Sequence, residues 1–124
     1  MSITHRLPGL LLTDHEFQVP IDHSQPDGAR LTVFAREVVA PDRAQADLPW
    51  LVFFQGGPGY GSPRPNDAQS PIWLKRATRD YRVLLLDQRG TGRSSPLGYQ
   101  LLARFRSPQE QADYLKLFRA DNIV

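Results

Sequence analysis

Two short apolar runs stand out in the middle of the chain. Trp50–Phe54 and Val83–Leu86 show no alternation of apolar and polar positions, which is typical of strands buried on both faces of a sheet that helices cover. Between them, Ile72–Asp80 has apolar residues at helix-like spacing. This order of strand, loop, helix and strand predicts a right-handed crossover between two parallel strands. The aromatic residues assigned to the core are Trp50, Phe53, Phe54 and Trp73.

The first forty residues have a different pattern, with partial alternation. Glu16–Ile21 and Arg30–Val39 are rich in Val, Phe, Ile, Leu and Thr, and Gln25–Gly28 lies between them. The Pro-Asp-Gly of that link favours a turn, because Pro fixes φ and Gly accepts positive φ. The two segments therefore predict an antiparallel hairpin, and the chain as a whole predicts an α/β fold.

The last predicted element is a helix that begins at Ser107. Ser107 is a suitable N-cap, Pro108 follows at the first helical position, and Glu110 can reach back to the cap. No glycine ends this helix before Val124, and the last two residues are apolar. Because a domain more often closes with a polar tail, we expect residues 1–124 to be the beginning of a longer domain whose sheet is incomplete.

The composition argues against several classes of protein. The chain has 124 residues, which suits one globular domain at most, and 15 Lys and Arg against 13 Asp and Glu give a net charge of +2. Such a balance argues against nucleic acid and membrane surfaces as partners. Without cysteine there is no disulfide scaffold, thiolate metal site or cysteine nucleophile. Leu7–Leu12 is too short for a signal peptide or a membrane span, so a cytoplasmic location is expected.

A glycine-rich segment directly follows the first apolar run. Three of the four residues Gly56, Gly57, Pro58 and Gly59 are glycines, so the backbone can bend sharply and turn its N–H groups towards an anion. An enzyme that stabilises a tetrahedral oxyanion needs such donors. The alternative is a turn that only joins a strand to a helix. One glycine would suffice for that, and the excess favours a binding loop.

A dinucleotide-binding loop is the sharpest competing interpretation. Asp87 lies 28 residues after Gly59, roughly where a ribose-binding acid would lie. However, a G-x-G-x-x-G frame from Gly57 ends on Ser62, and one from Gly59 ends on Arg64, so neither has its third glycine. The spacing therefore disfavours a nucleotide.

A second glycine-rich segment, Asp87–Ser95, follows the second apolar run. Because carboxyl ends of parallel strands meet at one edge of a sheet, where open α/β sheets bind ligands, we expect the two segments to lie together. Asp87 and Arg89 are expected to form a structural ion pair or to belong to a loop network. Ser94 is the serine of a G-x-S frame that begins at Gly92 and lacks the closing glycine. Neither it nor Ser62 is well placed as a nucleophile.

Together, Gly56–Gly59 and Asp87–Ser94, each after a buried strand, resemble the proline iminopeptidase family of α/β-hydrolases. The resemblance covers Glu16 to Val124 and is strongest over Leu51–Pro96. It implies that residues 1–124 are the N-terminal portion of one α/β-hydrolase domain, without its cap domain and C-terminal half. It also implies a serine exopeptidase that needs no cofactor and removes an N-terminal proline, or another N-terminal residue, from peptides.

The resemblance also implies roles for individual residues. The backbone N–H of Gly57 would be one oxyanion-hole donor, and the second would come from the residue after the nucleophilic serine. Residues that would shape the first loop are Gly56, Pro58 and Gly59. Residues that would support the second loop beside the site are Asp87, Gln88, Arg89 and Gly90. The family usually has His where this chain has Gln55. Glutamine can form hydrogen bonds but carries no charge, so strict proline preference is an open question.

The catalytic triad of that family is expected after Val124, so the chain alone is predicted to be inactive. The three histidines lie before any nucleophile and lack metal-ligand spacing, and we expect them to face solvent: His5, His15 and His23. In the hydrolase strand order, Trp50–Phe54 would pair with a strand beyond Val124, leaving an apolar edge here. The alternatives are a small non-catalytic α/β binding module and another α/β-hydrolase, such as an esterase or an epoxide-hydrolase-like enzyme. The oligomeric state is open.

Overall fold

Five strands form one mixed sheet in the computed structural model, which describes residues 2–56, 59–69, 71–95 and 99–118. Their order across the sheet is β1-β2-β3-β5-β4. Only β4 and β5 are parallel; the other neighbours are antiparallel. The strands are β1 (Ser2–Leu7), β2 (Leu10–Pro20), β3 (Arg30–Val39), β4 (Trp50–Phe54) and β5 (Arg82–Leu86).

Three helices accompany the sheet in the described ranges: α1 (Ile72–Asp80), α2 (Tyr99–Leu102) and α3 (Pro108–Leu115). Single 3₁₀ turns occur at Pro41–Arg43 and Lys116–Phe118. None of the described helices is long and apolar enough to cross a membrane. The predicted cytoplasmic location stays a prediction.

The amino-terminal strands extend further than the sequence pattern predicts. The β2–β3 pairing runs from Leu11 opposite Val39 to Pro20 opposite Arg30, so β2 begins well before Glu16. A further strand, β1, precedes it and turns back at Gly9, which has a φ of +75°. This strand was not predicted, because β1 is largely polar and shows neither alternation nor an apolar run, and a Pro-Gly turn follows it.

The core lies between one face of the sheet and α1. Its buried residues are Leu10, Leu12, Val38, Leu74, Val83 and Leu85. Phe53 and Trp73 pack against this cluster, and their rings stack with centroids 5.1 Å apart. Burial of each large aliphatic side chain contributes about 2 kcal/mol, so this face fixes how α1 sits on β4 and β5.

The expectation that β4 is buried on both faces is wrong. Trp50 is 54% exposed, Val52 42% and Phe54 57%, whereas Leu51 and Phe53 on the other face are half-buried. Among the described strands β4 has a neighbour on one side only, and α1 covers only the Leu51 face. Trp50 and Phe54 are therefore not core residues. In β5 the same alternation appears, with Val83 and Leu85 buried and the intervening residues half-buried.

The predicted cap of the last helix is confirmed. Ser107 Oγ accepts a 3.2 Å hydrogen bond from the N–H of Glu110. The carboxylate of Glu110 reaches back one residue further than predicted and accepts the N–H of Arg106 at 2.7 Å. The apolar residues predicted for the chain end, Ile123 and Val124, lie outside the described residues.

Candidate functional site

The two glycine-rich segments begin side by side at one edge of the sheet. In the parallel β4–β5 pair the last residues, Phe54 and Leu86, are opposite each other. Gln55 and Asp87 therefore start neighbouring loops, as the sequence predicts. Gly57 and Pro58, to which the resemblance gives the oxyanion loop, lie outside the described residues.

A buried carboxylate joins the two loops. Asp87 is only 5% exposed. One of its oxygens accepts the backbone N–H of Ser62 at 2.7 Å, and the other accepts the N–H of Arg93 at 3.0 Å. Hydrogen bonds to a charged acceptor are stronger than neutral ones. Asp87 therefore acts as a strut that fixes the spacing between the loop after β4 and the loop after β5.

Glycines make room for this strut. A Cβ built on Gly92 would lie 2.1 Å from an oxygen of Asp87, and the φ of Gly92 is +50°. A Cβ on Gly61 would lie 2.7 Å from the Cα of Gly92. Both distances are too short for any side chain. Gly61 and Gly92 were not among the predicted site residues, although the repeated glycines in both loops were a signal of close backbone approach.

The loop after β5 folds back on itself in the residues that follow Asp87. Gly90 has a φ of +81°, and its N–H donates to the carbonyl of Ser94 at 2.8 Å. The carbonyl of Gln88 accepts both the N–H and the hydroxyl of Thr91, at 3.0 and 2.8 Å. The side chain of Gln88 is exposed beside these turns.

Two serine hydroxyls near the site are engaged with the backbone. Ser94 is fully buried; its Oγ donates to the carbonyl of Asp87 at 2.6 Å and accepts the N–H of Phe34 at 2.7 Å. Ser62 Oγ donates to the carbonyl of Leu86 at 3.1 Å. These hydroxyls continue the hydrogen bonding of the sheet beyond the end of β5, and neither is arranged as a nucleophile.

The expected ion pair between Asp87 and Arg89 is not among the described contacts. Arg89 instead donates to the carbonyls of Pro20 and Ile21, at 2.8 and 2.6 Å, and lies 3.1 Å from Nε2 of His23. The pairing fails because both oxygens of Asp87 already accept backbone N–H groups. Arg89 therefore anchors the β2–β3 connection to the loop after β5, which is the loop network that the sequence left as the other possibility.

Arg93 ties the same loop to β2 and β3. Its guanidinium donates to Asp14 at 3.1 Å and to Glu16 at 3.3 Å, and lies 4.1 Å above the ring of Phe34. Its backbone N–H meanwhile binds Asp87. Sequence reasoning missed this contact, because Arg93 and Asp14 are 79 residues apart and no local pattern links them.

Asp14 is held in its charged form. Its burial would raise the pKa, but the hydrogen bond and charge of Arg36, joined by those of Arg93, bring the pKa below the usual 3.8. Arg36 is itself buried and donates from Nε at 2.7 Å. A buried ion pair of this kind is strongly destabilised when one partner is removed.

The expectation that all three histidines face solvent is wrong for His15. Its side chain is 25% exposed, with Nε2 at 2.9 Å from Glu37 and Nδ1 at 2.9 Å from Ser2. His5 is half-buried with Nε2 3.6 Å from Asp14, whereas His23 is exposed. The pairing of β1, β2 and β3 brings His5 and His15 into contact with side chains of neighbouring strands. In the described ranges, no three acidic, histidine or cysteine side chains are grouped so that they could hold a metal.

A small apolar pocket of about 160 Å³ lies beneath the first loop. Gln55 lines it with half-buried Phe53 and Trp73. Gly59 follows in the loop with a φ of +118°, and Tyr60 is 73% exposed. The position that differs from the family pattern thus borders on an apolar cavity.

Two curated proteins match almost the whole chain. A proline iminopeptidase from Aeromonas sobria is 51% identical over 119 residues, which cover 95% of this chain and 27% of the relative. A proline iminopeptidase from Aspergillus aculeatus is 44% identical over 126 residues, which cover 98% of this chain and 27% of the relative. No protein-family model matches. The chain spans about a quarter of the length of these curated relatives.

Proposed function

We propose that this chain, which is similar to two curated proline iminopeptidases over almost its whole length, is part of a serine peptidase that releases an N-terminal proline, or another N-terminal residue, from peptides. The observation that carries the proposal is the pair of glycine-rich loops at adjacent carboxyl ends of β4 and β5, joined by the carboxylate of Asp87. In this proposal residues 1–124 form the first portion of an α/β-hydrolase domain, and no cofactor takes part.

The first loop would supply half of an oxyanion hole. The backbone N–H of Gly57 would be one donor, in a loop shaped by Gly56, Pro58 and Gly59, and the second would follow the nucleophilic serine. Such donors must be held about 3 Å from the developing charge, and loss of one lowers kcat about 100- to 1,000-fold. The hydrogen bond from the backbone N–H of Ser62 to Asp87 supports this proposal, because it fixes the loop after β4 to the end of β5.

The nucleophile, acid and base are proposed to lie in the part of the relatives that this chain does not match. Ser62 and Ser94, the serines beside the strut, each donate a hydroxyl hydrogen bond to a backbone carbonyl. Residues 1–124 alone are therefore expected to lack hydrolytic activity.

The direct test uses the complete open reading frame that contains these residues. We expect the purified product to hydrolyse proline 4-nitroanilide but not N-acetyl-proline 4-nitroanilide, because an exopeptidase of this kind requires a free amino end. Equal hydrolysis of both compounds, or of neither, would overturn the proposal. Residues 1–124 expressed alone are the matched inactive control.

Substrate breadth is tested in the same assay. Alanine and leucine 4-nitroanilides, compared with the proline compound, measure how strict the preference is. Gln55→His restores the residue that the family resemblance expects, and Gln55→Ala is its control. If Gln55 broadens specificity, the His variant increases the ratio of proline to alanine hydrolysis and the Ala variant does not.

A further inference from the structure

A second groove lies on the α1 side of the sheet, far from the glycine-rich loops. Its volume is about 510 Å³, and it runs between α1 and the 3₁₀ turn after β3. Gly9 and Ala40 border it at the start of β2 and the end of β3. The charged residues that line it are Asp42, Arg43, Lys75, Arg76, Arg79 and Asp80.

The strand register places this groove at the opposite edge of the sheet from the candidate active site. Val38 at the end of β3 is opposite Val83 at the start of β5, and Leu11 at the start of β2 is opposite Val39. The glycine-rich loops follow the other end of β5, at Leu86. A five-residue strand separates the two edges by about 16 Å. A ligand in this groove would therefore be distinct from the peptide substrate.

The groove carries unneutralised positive charge. Arg76 forms an ion pair with Asp80. The side chains of Arg43, Lys75 and Arg79 make no hydrogen bond or ion pair in the part of the chain that the structure describes. Four cations against two carboxylates leave an excess of two positive charges, as large as the net charge of all 124 residues.

The arrangement on α1 costs stability unless something offsets it. Lys75 and Arg79 are four residues apart, and like charges at this spacing repel each other by a few tenths of a kcal/mol. The backbone segments around these two cations are closely packed. The Gly9 turn approaches the segment before α1 so closely that a Cβ on Gly9 would lie 3.0 Å from the Cβ of Ala68. Thr78 is buried and bonds its hydroxyl to the carbonyl of Leu74 at 3.0 Å.

We propose that this groove binds a compact multivalent oxyanion, a small molecule with two or more phosphate or carboxylate groups. Guanidinium groups match the geometry of both, and the groove has the size of ordinary small-molecule sites. Arg43 on one wall faces the α1 cations across the groove, so one anion neutralises charges from two elements. The proposal does not depend on the peptidase function, because it uses no residue of the glycine-rich loops.

The test is a titration of the 124-residue chain with pyrophosphate and with citrate at low ionic strength, followed by isothermal calorimetry and by amide NMR shifts. We expect saturable binding of one anion per chain, with shifts confined to residues 40–43 and 75–80, and weaker binding as salt screens the charges. The two probes distinguish phosphate from carboxylate selectivity. Absence of saturable binding for both would overturn the proposal and leave these cations as a solvated surface.

Variants locate the site. Lys75→Gln with Arg79→Gln should weaken binding about tenfold or more, because two charge-assisted contacts are lost. Arg43→Gln, which lies outside the helix, should weaken it separately and keeps the test valid if the helix variant folds poorly. The matched control is Arg104→Gln with Arg106→Gln, two exposed cations elsewhere. Equal weakening in the control would show non-specific charge attraction and contradict the proposal.

Discussion

The carboxylate of Asp87 accepts a 2.7 Å hydrogen bond from the backbone N–H of Ser62, 25 residues earlier in the chain. Through this contact a residue at the end of β5 holds the loop that follows β4. Its second oxygen accepts the N–H of Arg93 in its own loop. The geometry of the loop after β4 therefore depends on a carboxylate that is itself buried.

Replacement of Asp87 by Asn tests this strut. An amide offers one oxygen where two N–H groups need acceptors, and its NH₂ would face a donor. We expect the free energy of unfolding to fall by about 2–3 kcal/mol, measured by urea denaturation. Asp47→Asn, at an exposed position, should change it by less than about 0.5 kcal/mol. Similar losses in both variants would contradict the role given to Asp87.

Gly92→Ala tests the close approach of the two loops. The added Cβ would lie 2.1 Å from the Asp87 carboxylate, and the φ of +50° disfavours any side chain. The variant should lose about 2 kcal/mol or more of unfolding free energy. Gly56→Ala is the matched control, since a Cβ there meets nothing within 4 Å. Thermal denaturation followed by circular dichroism separates the two, and equal melting temperatures would refute the steric argument.

Ser94→Ala tests whether this serine is structural. The change leaves the N–H of Phe34 and the carbonyl of Asp87 without the buried hydroxyl that bonds both. We expect a loss of about 2 kcal/mol, measured in urea. Ser24→Ala removes only an exposed hydrogen bond to Asp22 and should cost less than about 0.5 kcal/mol. A neutral Ser94→Ala would show that the hydroxyl contacts contribute nothing.

Stability should fall in acid partly because of Asp14. Burial opposes ionisation of Asp14, but Arg36 and Arg93 together lower its pKa below 3.8. A carboxyl whose pKa is lowered on folding stabilises the protein above its unfolded pKa, and that stability is lost as the pH falls through the folded pKa. The unfolding free energy should therefore decrease from about pH 5 downwards. Asp14→Asn should show a shallower decrease than Asp47→Asn; equal slopes would contradict the assignment.

Local pattern was enough to predict the elements around the site. The run Trp50–Phe54 and the run Val83–Leu86 each became a strand, and β3 has the predicted bounds Arg30–Val39. The carboxyl ends of β4 and β5 meet as expected, because two apolar runs separated by a loop and a helix have few ways to pack. The Ser107 cap was equally readable, since capping depends on neighbouring residues alone.

What the pattern could not predict depends on position in the whole sheet. An apolar run does not reveal which faces of a strand are covered, and so the exposure of Phe54 was missed, although β4 was expected to be left with an unpaired edge. Contacts between distant residues were also out of reach: Arg93 with Asp14, and Arg89 with the carbonyl of Pro20. In each case an arginine of the second glycine-rich loop contacts a residue far away in the sequence, and no local periodicity relates the two.

The exposed face of β4 should make the 124-residue chain self-associate. Val52 and Phe54 are 42% and 57% exposed, and in the described sheet β4 has only β5 beside it. An unpaired apolar edge is a template for pairing with another copy, and lysines on such an edge prevent it. Val52→Lys with Phe54→Lys should therefore shift the sedimentation profile towards monomer at concentrations where the unmodified chain associates.

Tyr60→Lys is the control, because Tyr60 is 73% exposed but lies in a loop. An unchanged profile in the β4 variant, or an equal shift in the control, would show that association does not proceed through this edge.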